Sequence, residues 1–575
     1  MATLTISSLL SLAFLLPEND GRISLQSKAR RTLPLFAALW FVAALGNSLS
    51  ILADLFDQSI ASILDLTTIR SFFTQTALGR VNLIEVLAAL FVFIFASSIK
   101  KNGGAVLLLV LSLIGVVAPV FESHSSALGS HALAIGSLVV HVIALELWIG
   151  SVVGLYFMGK NERELAKSRV ANIALWSSIA VACSGVANAW TRLRISSDWF
   201  STYGALIALK VVLFAIVLLV AARLRRNPNV RRLIQIEVLV LLLITSIGSV
   251  LNRFVPINSG ELTQPVIPSP PNLMRVAMEY DADGLILGAL ILSTALYIKG
   301  VIVLSRRGDS WPKGRTLSFA IGIALLDFAT SGGVGFYAKY TFEYHMVAHM
   351  ILSMIAPIAL VLSAPITLAL RTLPSGRVKE ERGLKALLVA FLHSRYVHFI
   401  THPIAALALF DGSLFALYFT PLFGKLMSSH SGHLLMNLHF IAVGLLFFHV
   451  IVGIDPNPRK VHHLARIVML LAAMSIHSFF SVALMSSNSL IDNGYFASLN
   501  LPWNVDLLSN QKTGAAIGWA MGEIPIVAAL IATFIQWMRS DARDARRADK
   551  RSEVDLAEYN AYLAQLSARE NKSEK

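Results

Sequence analysis

The sequence is poor in the residues and motifs that soluble enzymes and disulfide-stabilised proteins use. Its single cysteine, Cys183, allows neither a disulfide framework nor a cluster of cysteine metal ligands. It contains no phosphate-binding loop of the GxxxxGK[ST] type and no HExxH helix, which argues against nucleotide-driven and zinc-peptidase chemistry. We therefore expect a protein that is not an enzyme.

Charged residues are also scarce, and long apolar runs take their place. Only 14% of the residues are charged, whereas 55% are hydrophobic. The apolar runs are about 18 to 25 residues long, which is the length of a helix that crosses a lipid bilayer. The predicted fold class is therefore all-α. We expect a polytopic transmembrane helical protein with about 14 spans, or 15 if the short apolar run at residues 2–16 also spans the bilayer.

The apolar runs predict two bundles of seven helices. The predicted spans cover residues 33–54, 81–99, 103–121, 131–158, 169–190, 203–224, 232–255, 284–305, 314–338, 344–371, 398–420, 432–454, 464–487 and 513–538. Prolines cluster between Pro265 and Pro271, which is typical of an extended linker. The predicted organisation is thus a membrane domain (1–256), an extracytoplasmic linker (257–283), a second membrane domain (284–538) and a charged tail (539–575).

Basic residues indicate the orientation in the membrane. Alternate loops and the tail carry 37 of the 48 lysines and arginines, and loops rich in these residues are retained in the cytoplasm. The pattern places the linker outside and the C-terminus in the cytoplasm. Because the membrane explains the net charge of +14, we expect a lipid bilayer and no nucleic acid as partner.

Histidines and methionines gather at the outer ends of three spans in the second domain. In the span at 344–371, the two histidines are four residues apart and share one helix face. Imidazole and thioether ligands together suit copper, Cu(I) in particular. Capping by interfacial histidines and packing by methionines remain alternatives for each residue. The candidate ligands are His345, His349, His433, His439, His477, Met346 and Met436.

Two smaller groups of polar residues lie within other predicted spans. In the first domain, His131 and His141 are ten residues apart and form a thinner candidate metal cluster. In the second domain, Asp327, Asp411 and Glu523 are intramembrane carboxylates, which usually face a bundle interior and line an ion or proton path. A purely structural hydrogen-bonding role is the alternative for all of them.

The second domain resembles the CtaG family of cytochrome c oxidase assembly proteins from about residue 285 onward. The resemblance rests on YHMVAHMILSMIAPIALVLSAPITLALR, GHLLMNLHFIAVGLLFFHVIVGIDPNP, MSIHSFFSVALM and GWAMGEIP. It implies a seven-helix membrane protein that is needed to build the copper centre of the oxidase. It also implies an oxidase subunit or a copper chaperone as partner, and by position it points to the same five histidines. Asn437 stands where the family pattern often has a further histidine.

The first domain is similar to the CopD family of copper-resistance membrane proteins between about residues 131 and 256. The similarity rests on HVIALELWIGSVVGL, CSGVANAWTRL and YGALIALKVVLF. A fusion of the two families, of the type known in actinobacteria, implies a multi-pass protein of the bacterial plasma membrane. It also implies a copper-handling role in oxidase assembly, with possible copper transport by the first domain. A proton-coupled secondary transporter and a haem-binding redox protein are the alternatives.

Overall fold

The computed structural model is helical throughout. It describes residues 1–16, 23–24, 27–122, 131–193, 197–226, 231–253, 268–375, 383–459 and 461–573. Within these ranges the only β pairing is an isolated bridge between Tyr280 and Gly332. The predicted all-α fold class is confirmed.

The described ranges contain twenty-five α-helices. Before residue 308 they are α1 (Ala2–Leu10), α2 (Lys28–Phe56), α3 (Leu66–Gln75), α4 (Ala77–Ala96), α5 (Asn102–Val117), α6 (His131–Phe157), α7 (Lys160–Leu193), α8 (Thr202–Arg226), α9 (Arg231–Arg253), α10 (Leu273–Met278) and α11 (Gly284–Arg306). After it they are α12 (Lys313–Thr330), α13 (Gly333–Tyr337), α14 (Phe342–Met350), α15 (Ala356–Leu362), α16 (Pro365–Thr372), α17 (Leu384–Leu392), α18 (Arg395–Ile400), α19 (Pro403–Leu407), α20 (Ser413–Tyr418), α21 (Leu422–Met427), α22 (His430–Val452), α23 (His463–Met485), α24 (Tyr495–Ser498) and α25 (Leu507–Ser573). Three further segments, Ser11–Leu15, Ile351–Ile355 and Ala408–Gly412, are π-helical.

Twelve helices in the described ranges are long and apolar enough to cross a membrane, so the chain is a multi-pass membrane protein. They coincide with predicted spans. The predicted span at 314–338 is instead interrupted after Thr330, where Gly332 and Gly333 disfavour a continuous helix. The predicted span at 398–420 is broken as well, and its apolar part is the shorter helix Pro403–Tyr418.

The described chain forms two compact units. The first comprises Met1–Arg307, Thr330–Phe336 and Ala369–Val389, and the second comprises Gly308–Ala329, Tyr337–Leu368 and Ala390–Lys575. The predicted domain boundary at 257–283 stays a prediction, because residues 254–267 lie outside the described ranges.

The short apolar helix α1 lies in the core of the first unit. Helix α1 packs against α2, α5 and α6, and its residues from Thr5 to Leu10 are buried. A glycine in α6 permits this close approach, since a Cβ atom at Gly154 would lie 2.5 Å from Ser11 Oγ. The short run at the start of the chain therefore forms part of the core of this unit. Helix α11 also packs on α6, where Gly136 and Gly284 bring the two backbones together.

One face of α25 organises the second unit. Asn510, Gly514, Gly518 and Gly522 follow one another at intervals of four residues and therefore share that face. Side chains of α14 and α23 lie against the three glycines, because a Cβ atom at these positions would meet Phe342, Met346 and His477 at 2.6, 2.7 and 2.2 Å. This small-residue face brings two of the predicted ligand-bearing helices against α25.

Candidate metal centre

The centre begins with two histidines on α14. Helix α14 starts after Thr341, which provides no side-chain cap, and Asn510 of α25 takes that role. The Asn510 side-chain oxygen accepts hydrogen bonds from the backbone N–H groups of Phe342 and Glu343 at 2.9 and 3.2 Å. The spacing of four residues then places His345 and His349 on one face, with ring centroids 4.0 Å apart. Both histidines are buried.

A tyrosine that the sequence analysis did not single out joins these two histidines. Tyr418, the last residue of α20, is fully buried. Its hydroxyl oxygen lies 3.1 Å from His345 Nε2 and 2.7 Å from His349 Nδ1. One nitrogen of each imidazole is therefore directed at the same oxygen atom.

Aromatic rings enclose this cluster of His345, His349 and Tyr418. Phe423 packs against His345 with centroids 5.0 Å apart and against Tyr418 at 4.9 Å. Phe440 packs against His349 at 4.2 Å. The walls exclude water, so the polar atoms inside depend on one another for hydrogen bonds. His349 Nε2, the ring nitrogen that does not face Tyr418, is buried without a hydrogen-bond partner.

The other predicted ligands of α22 and α14 occupy the border of the cluster. The His433 ring centroid lies 6.2 Å from that of His345. His439 is half-exposed and packs edge-on against Phe440. The buried Met346 directs its methyl end at Gly518 of α25, which is a packing contact. Met436 is buried within the second unit. His433 is thus near the paired histidines, and the methionines have an evident packing role.

His477 belongs to a different group, although the sequence placed it at the same depth as His345. Its Nε2 hydrogen-bonds the backbone oxygen of Gly518 at 3.2 Å. Because a carbonyl only accepts, Nε2 carries the ring proton and Nδ1 presents a lone pair in the neutral ring. That Nδ1 faces Asp411 Oδ1 at 3.9 Å, and both atoms lack a hydrogen-bond partner.

The carboxylates predicted for an ion path are only partly brought together. Asp411 is buried in the π-helical segment Ala408–Gly412, in the neighbourhood of Glu523. The half-buried Glu523 accepts a hydrogen bond from the Ser478 hydroxyl. Asp327 lies half-buried on α12. Two lone-pair atoms that face each other, as in the Asp411–His477 pair, need a proton or a cation between them.

The candidate ligands of the first unit do not converge. His131 and His141 are ten residues apart on α6, which separates them by about 15 Å along the helix axis. His141 Nδ1 instead forms a hydrogen bond of 3.0 Å with Ser184 Oγ of α7. In the same unit, Trp148 Nε1 donates to Glu237 at 3.0 Å and the Thr3 hydroxyl donates to Glu146 at 3.1 Å.

A complete ligand shell of the usual residue types is not preformed. In the part of the chain that the structure describes, no group of three or more His, Cys, Asp or Glu side chains is arranged to hold a metal ion. The closest convergence of imidazoles is the pair at Tyr418, whose third polar group is a phenol. The nitrogen donors nevertheless fit a borderline or soft ion such as copper.

Comparison with known families accounts for most of the chain. Residues 295–540 match the model described as cytochrome c oxidase caa3 assembly factor, and residues 165–251 match copper resistance protein D. Residues 2–133 match the N-terminal domain of copper resistance protein D-like proteins. The chain is a CopD–CtaG fusion. The two resemblances seen in the sequence are confirmed, and the CopD-like region begins earlier than residue 131.

The fusion is also similar to mycobacterial proteins. One uncharacterized protein of Mycobacterium bovis and one of Mycobacterium tuberculosis are each 40% identical to it over 306 residues, which are 52% of this chain and 46% of the relative. An uncharacterized protein of Mycobacterium leprae is 39% identical over the same length. The chain thus spans about half the length of the curated relatives it matches. No solved structure matches it.

Within the fusion, the CtaG-like region contains both candidate groups. The cluster of His345, His349 and Tyr418 and the Asp411–His477 pair all lie inside residues 295–540. The CopD-like matches contain Glu237 and Ser184, whereas His141 falls between them. The described contacts therefore concentrate the unsatisfied buried donors and acceptors of imidazole type in the CtaG-like region.

Proposed function

We propose that the fusion is a copper-handling membrane protein that assists assembly of the copper centre of cytochrome c oxidase. The observation that carries this proposal is the convergence of His345 Nε2 and His349 Nδ1 on one point inside an aromatic enclosure. The matches to oxidase assembly and copper-resistance families support copper as the cargo. The protein acts in the bacterial plasma membrane with its C-terminus in the cytoplasm, and it is not an enzyme.

In this proposal, the CtaG-like region holds copper and passes it to a partner. His345 and His349 supply nitrogen ligands, and His433 stands next to them as a further donor. The rings of Phe423 and Phe440 exclude water, which protects bound Cu(I) and strengthens each metal–nitrogen interaction. Ligand exchange with a copper chaperone or an oxidase subunit then moves the ion, as each copper–nitrogen bond that breaks here is replaced by a copper–ligand bond on the partner. The CopD-like region contributes copper transport.

The test is the copper content of the purified full-length protein. A double variant, His345→Ala with His349→Ala, is compared with a double variant of the first unit, His131→Ala with His141→Ala. After reconstitution with Cu(I), we expect metal analysis to give one copper equivalent fewer for the first variant and wild-type content for the second. Equal copper content in the first variant and the wild type would overturn the site assignment. An intense Soret band in the purified wild type would indicate haem instead of copper.

A second candidate function is proton-coupled secondary transport, and the Asp411–His477 pair favours it. Two buried lone-pair atoms 3.9 Å apart can share a proton, and Glu523 adds a second carboxylate to this group. The test uses vesicles that contain the protein and carry a proton gradient. Copper uptake that stops when the gradient collapses, and that Asp411→Asn abolishes, would support transport. Uptake that is independent of the gradient would exclude the coupling.

A further inference from the structure

The hydroxyl of Tyr418 occupies the point at which the two histidines of α14 converge. A phenol has one proton to donate and lone pairs that accept, so it can donate to one imidazole and accept from the other. Its distances of 3.1 and 2.7 Å to His345 Nε2 and His349 Nδ1 fit that double role. Contacts with Phe342, Phe423 and Phe480 fix its ring at centroid distances of 5.9, 4.9 and 5.6 Å.

We propose that Tyr418 is the third donor of the copper site and coordinates Cu(II) as a phenolate between His345 and His349. The inference rests on the proposed copper-handling function and adds a ligand and an oxidation state to it. Phenolate oxygen is a harder donor than imidazole or thioether, so it favours Cu(II) over Cu(I). The site then accepts both oxidation states, with Tyr418 as a ligand of the oxidised ion only.

The distances require only a small rearrangement. Metal–nitrogen and metal–oxygen bonds of first-row ions are about 2.0–2.2 Å long, so donors around one ion are roughly 3.3–3.6 Å apart. The two nitrogen–oxygen distances are 3.1 and 2.7 Å. Each nitrogen–oxygen pair therefore separates by less than about 1 Å when an ion takes the place of the two hydrogen bonds.

Both helices that supply donors contain the kind of segment that allows such a shift. The π-helical segment Ile351–Ile355 begins two residues after His349, and Ala408–Gly412 precedes the helix that ends in Tyr418. The Ser353 hydroxyl donates to the His349 backbone oxygen at 2.7 Å, which couples the first segment to the ligand. Single-turn π segments often occur at functional sites because they hold one extra residue per turn.

The coordination step balances with the release of one proton. The neutral cluster of two imidazoles and one phenol contains three exchangeable protons, one on each side chain. The imidazole that donated to Tyr418 moves its proton to its other ring nitrogen, so that in the complex each imidazole keeps one proton on the nitrogen that does not face copper and the phenolate has none. One proton therefore leaves to the solvent for each Cu(II) bound, whereas Cu(I) bound by the imidazoles alone releases none.

The experiment titrates the purified, metal-free, full-length protein with Cu(II) and records its absorption spectrum. We expect a phenolate-to-Cu(II) charge-transfer band in the wild type, with resonance Raman signals of a tyrosine ring when this band is excited. Tyr418→Phe should lose the band and bind Cu(II) at least about tenfold more weakly, since even outer-shell changes weaken metal binding about 10- to 100-fold. Its affinity for Cu(I), measured by competition with a chelator, should stay within about twofold of the wild type.

A half-buried tyrosine of the same unit provides the control. The Tyr495 hydroxyl donates to the Lys339 backbone oxygen at 3.1 Å, and burial raises the pKa of this phenol to about 12. Tyr495→Phe should keep the charge-transfer band. A wild type that binds copper without the band would overturn the role of Tyr418 and leave the proposed function intact. A wild type that binds neither Cu(I) nor Cu(II) would overturn both. A band that persists in Tyr418→Phe would likewise overturn the role of Tyr418.

Discussion

The buried polar groups of the two units differ in how they are paired. In the first unit, Glu237 Oε1 accepts from Trp148 and His141 bonds Ser184, so each links two helices, although Glu237 Oε2 has no partner. In the second unit, both oxygens of Asp411, Nδ1 of His477 and Nε2 of His349 are buried without a partner. Since most buried polar atoms in proteins are hydrogen-bonded, such atoms need an explanation.

The difference separates structural polar groups from groups that await a ligand. A carboxylate that accepts from an indole N–H on another helix stabilises the packing of those helices. A carboxylate and an imidazole that present lone pairs to each other are unfavourable in a buried position unless a proton or a cation lies between them. Glu237 and His141 therefore contribute to helix association. The proposed function instead requires that Asp411 and His477 bind a proton or a cation.

The largest expected effect concerns copper affinity. Replacement of His349 by Ala removes a nitrogen at the point of convergence, and we expect the affinity for Cu(I) to fall by more than about 100-fold. His141→Ala removes a buried histidine of the first unit that has a serine partner, so the affinity should be unchanged. Chelator competition measures both. A comparable loss in the two variants would remove the distinction between the units.

The next effect concerns the small-residue face of α25. A Cβ atom at Gly522 would lie 2.2 Å from His477 Nε2, whereas one at Gly314 would meet no atom within 4 Å. Gly522→Ala should therefore lower the free energy of unfolding by about 1–3 kcal/mol, because overpacking forces neighbours to move. Gly314→Ala should not lower it. Thermal unfolding in one detergent compares the two, and a stable Gly522→Ala variant would contradict the close seating of His477.

A third prediction uses the carboxylates and differs in sign between the units. Trp148→Phe leaves the buried Glu237 without its donor and should destabilise the protein by about 1–2 kcal/mol. Asp411→Leu replaces an unpartnered carboxyl with an apolar side chain and should raise the thermal unfolding temperature. If Asp411→Leu instead lowered that temperature, Asp411 would be a structural residue like Glu237.

The smallest expected effect should be the same in both units. Ser27 caps α2 by accepting from the Arg30 N–H, and Ser429 caps α22 by accepting from the Gly432 N–H. Replacement of either serine by Ala should cost about 1 kcal/mol of stability and leave copper binding unchanged. The copper content of both variants checks this prediction. If one variant lost copper and the other did not, the cap that was removed would be needed for the copper site.

The sequence predicted most helices because hydropathy and length determine which segments can cross a bilayer. The paired glycines Gly332 and Gly333 allowed either a close helix approach or a break, and the structure has the break. The sequence did not predict the burial of α1, because that burial depends on neighbouring helices. The shared face of His345 and His349 followed from their spacing of four residues, and the structure places their rings together. The assignment of the predicted residues as metal ligands stays a prediction.

Depth in the membrane was a weaker guide than spacing. His477 was predicted to lie at the depth of His345, but α25 holds its ring beside Asp411 through the Gly518 backbone oxygen. Tyr418 was missed because a phenol within an aromatic segment looks like ordinary packing. For the position of His477, the sequence did contain a signal. The glycines at 514, 518 and 522 are regularly spaced, which predicts that another helix packs closely against α25.

Helix α25 runs without interruption from the contact with His477 into the charged tail. It is 67 residues long from Leu507 to Ser573, which corresponds to about 100 Å at 1.5 Å per residue. Its first turns carry Gly518 and Gly522, and its last turns form the charged tail. A rigid helix transmits torque along its axis, and Pro525 is its one built-in weak point. A partner that binds the tail therefore binds the same helix whose Gly518 and Gly522 contact His477.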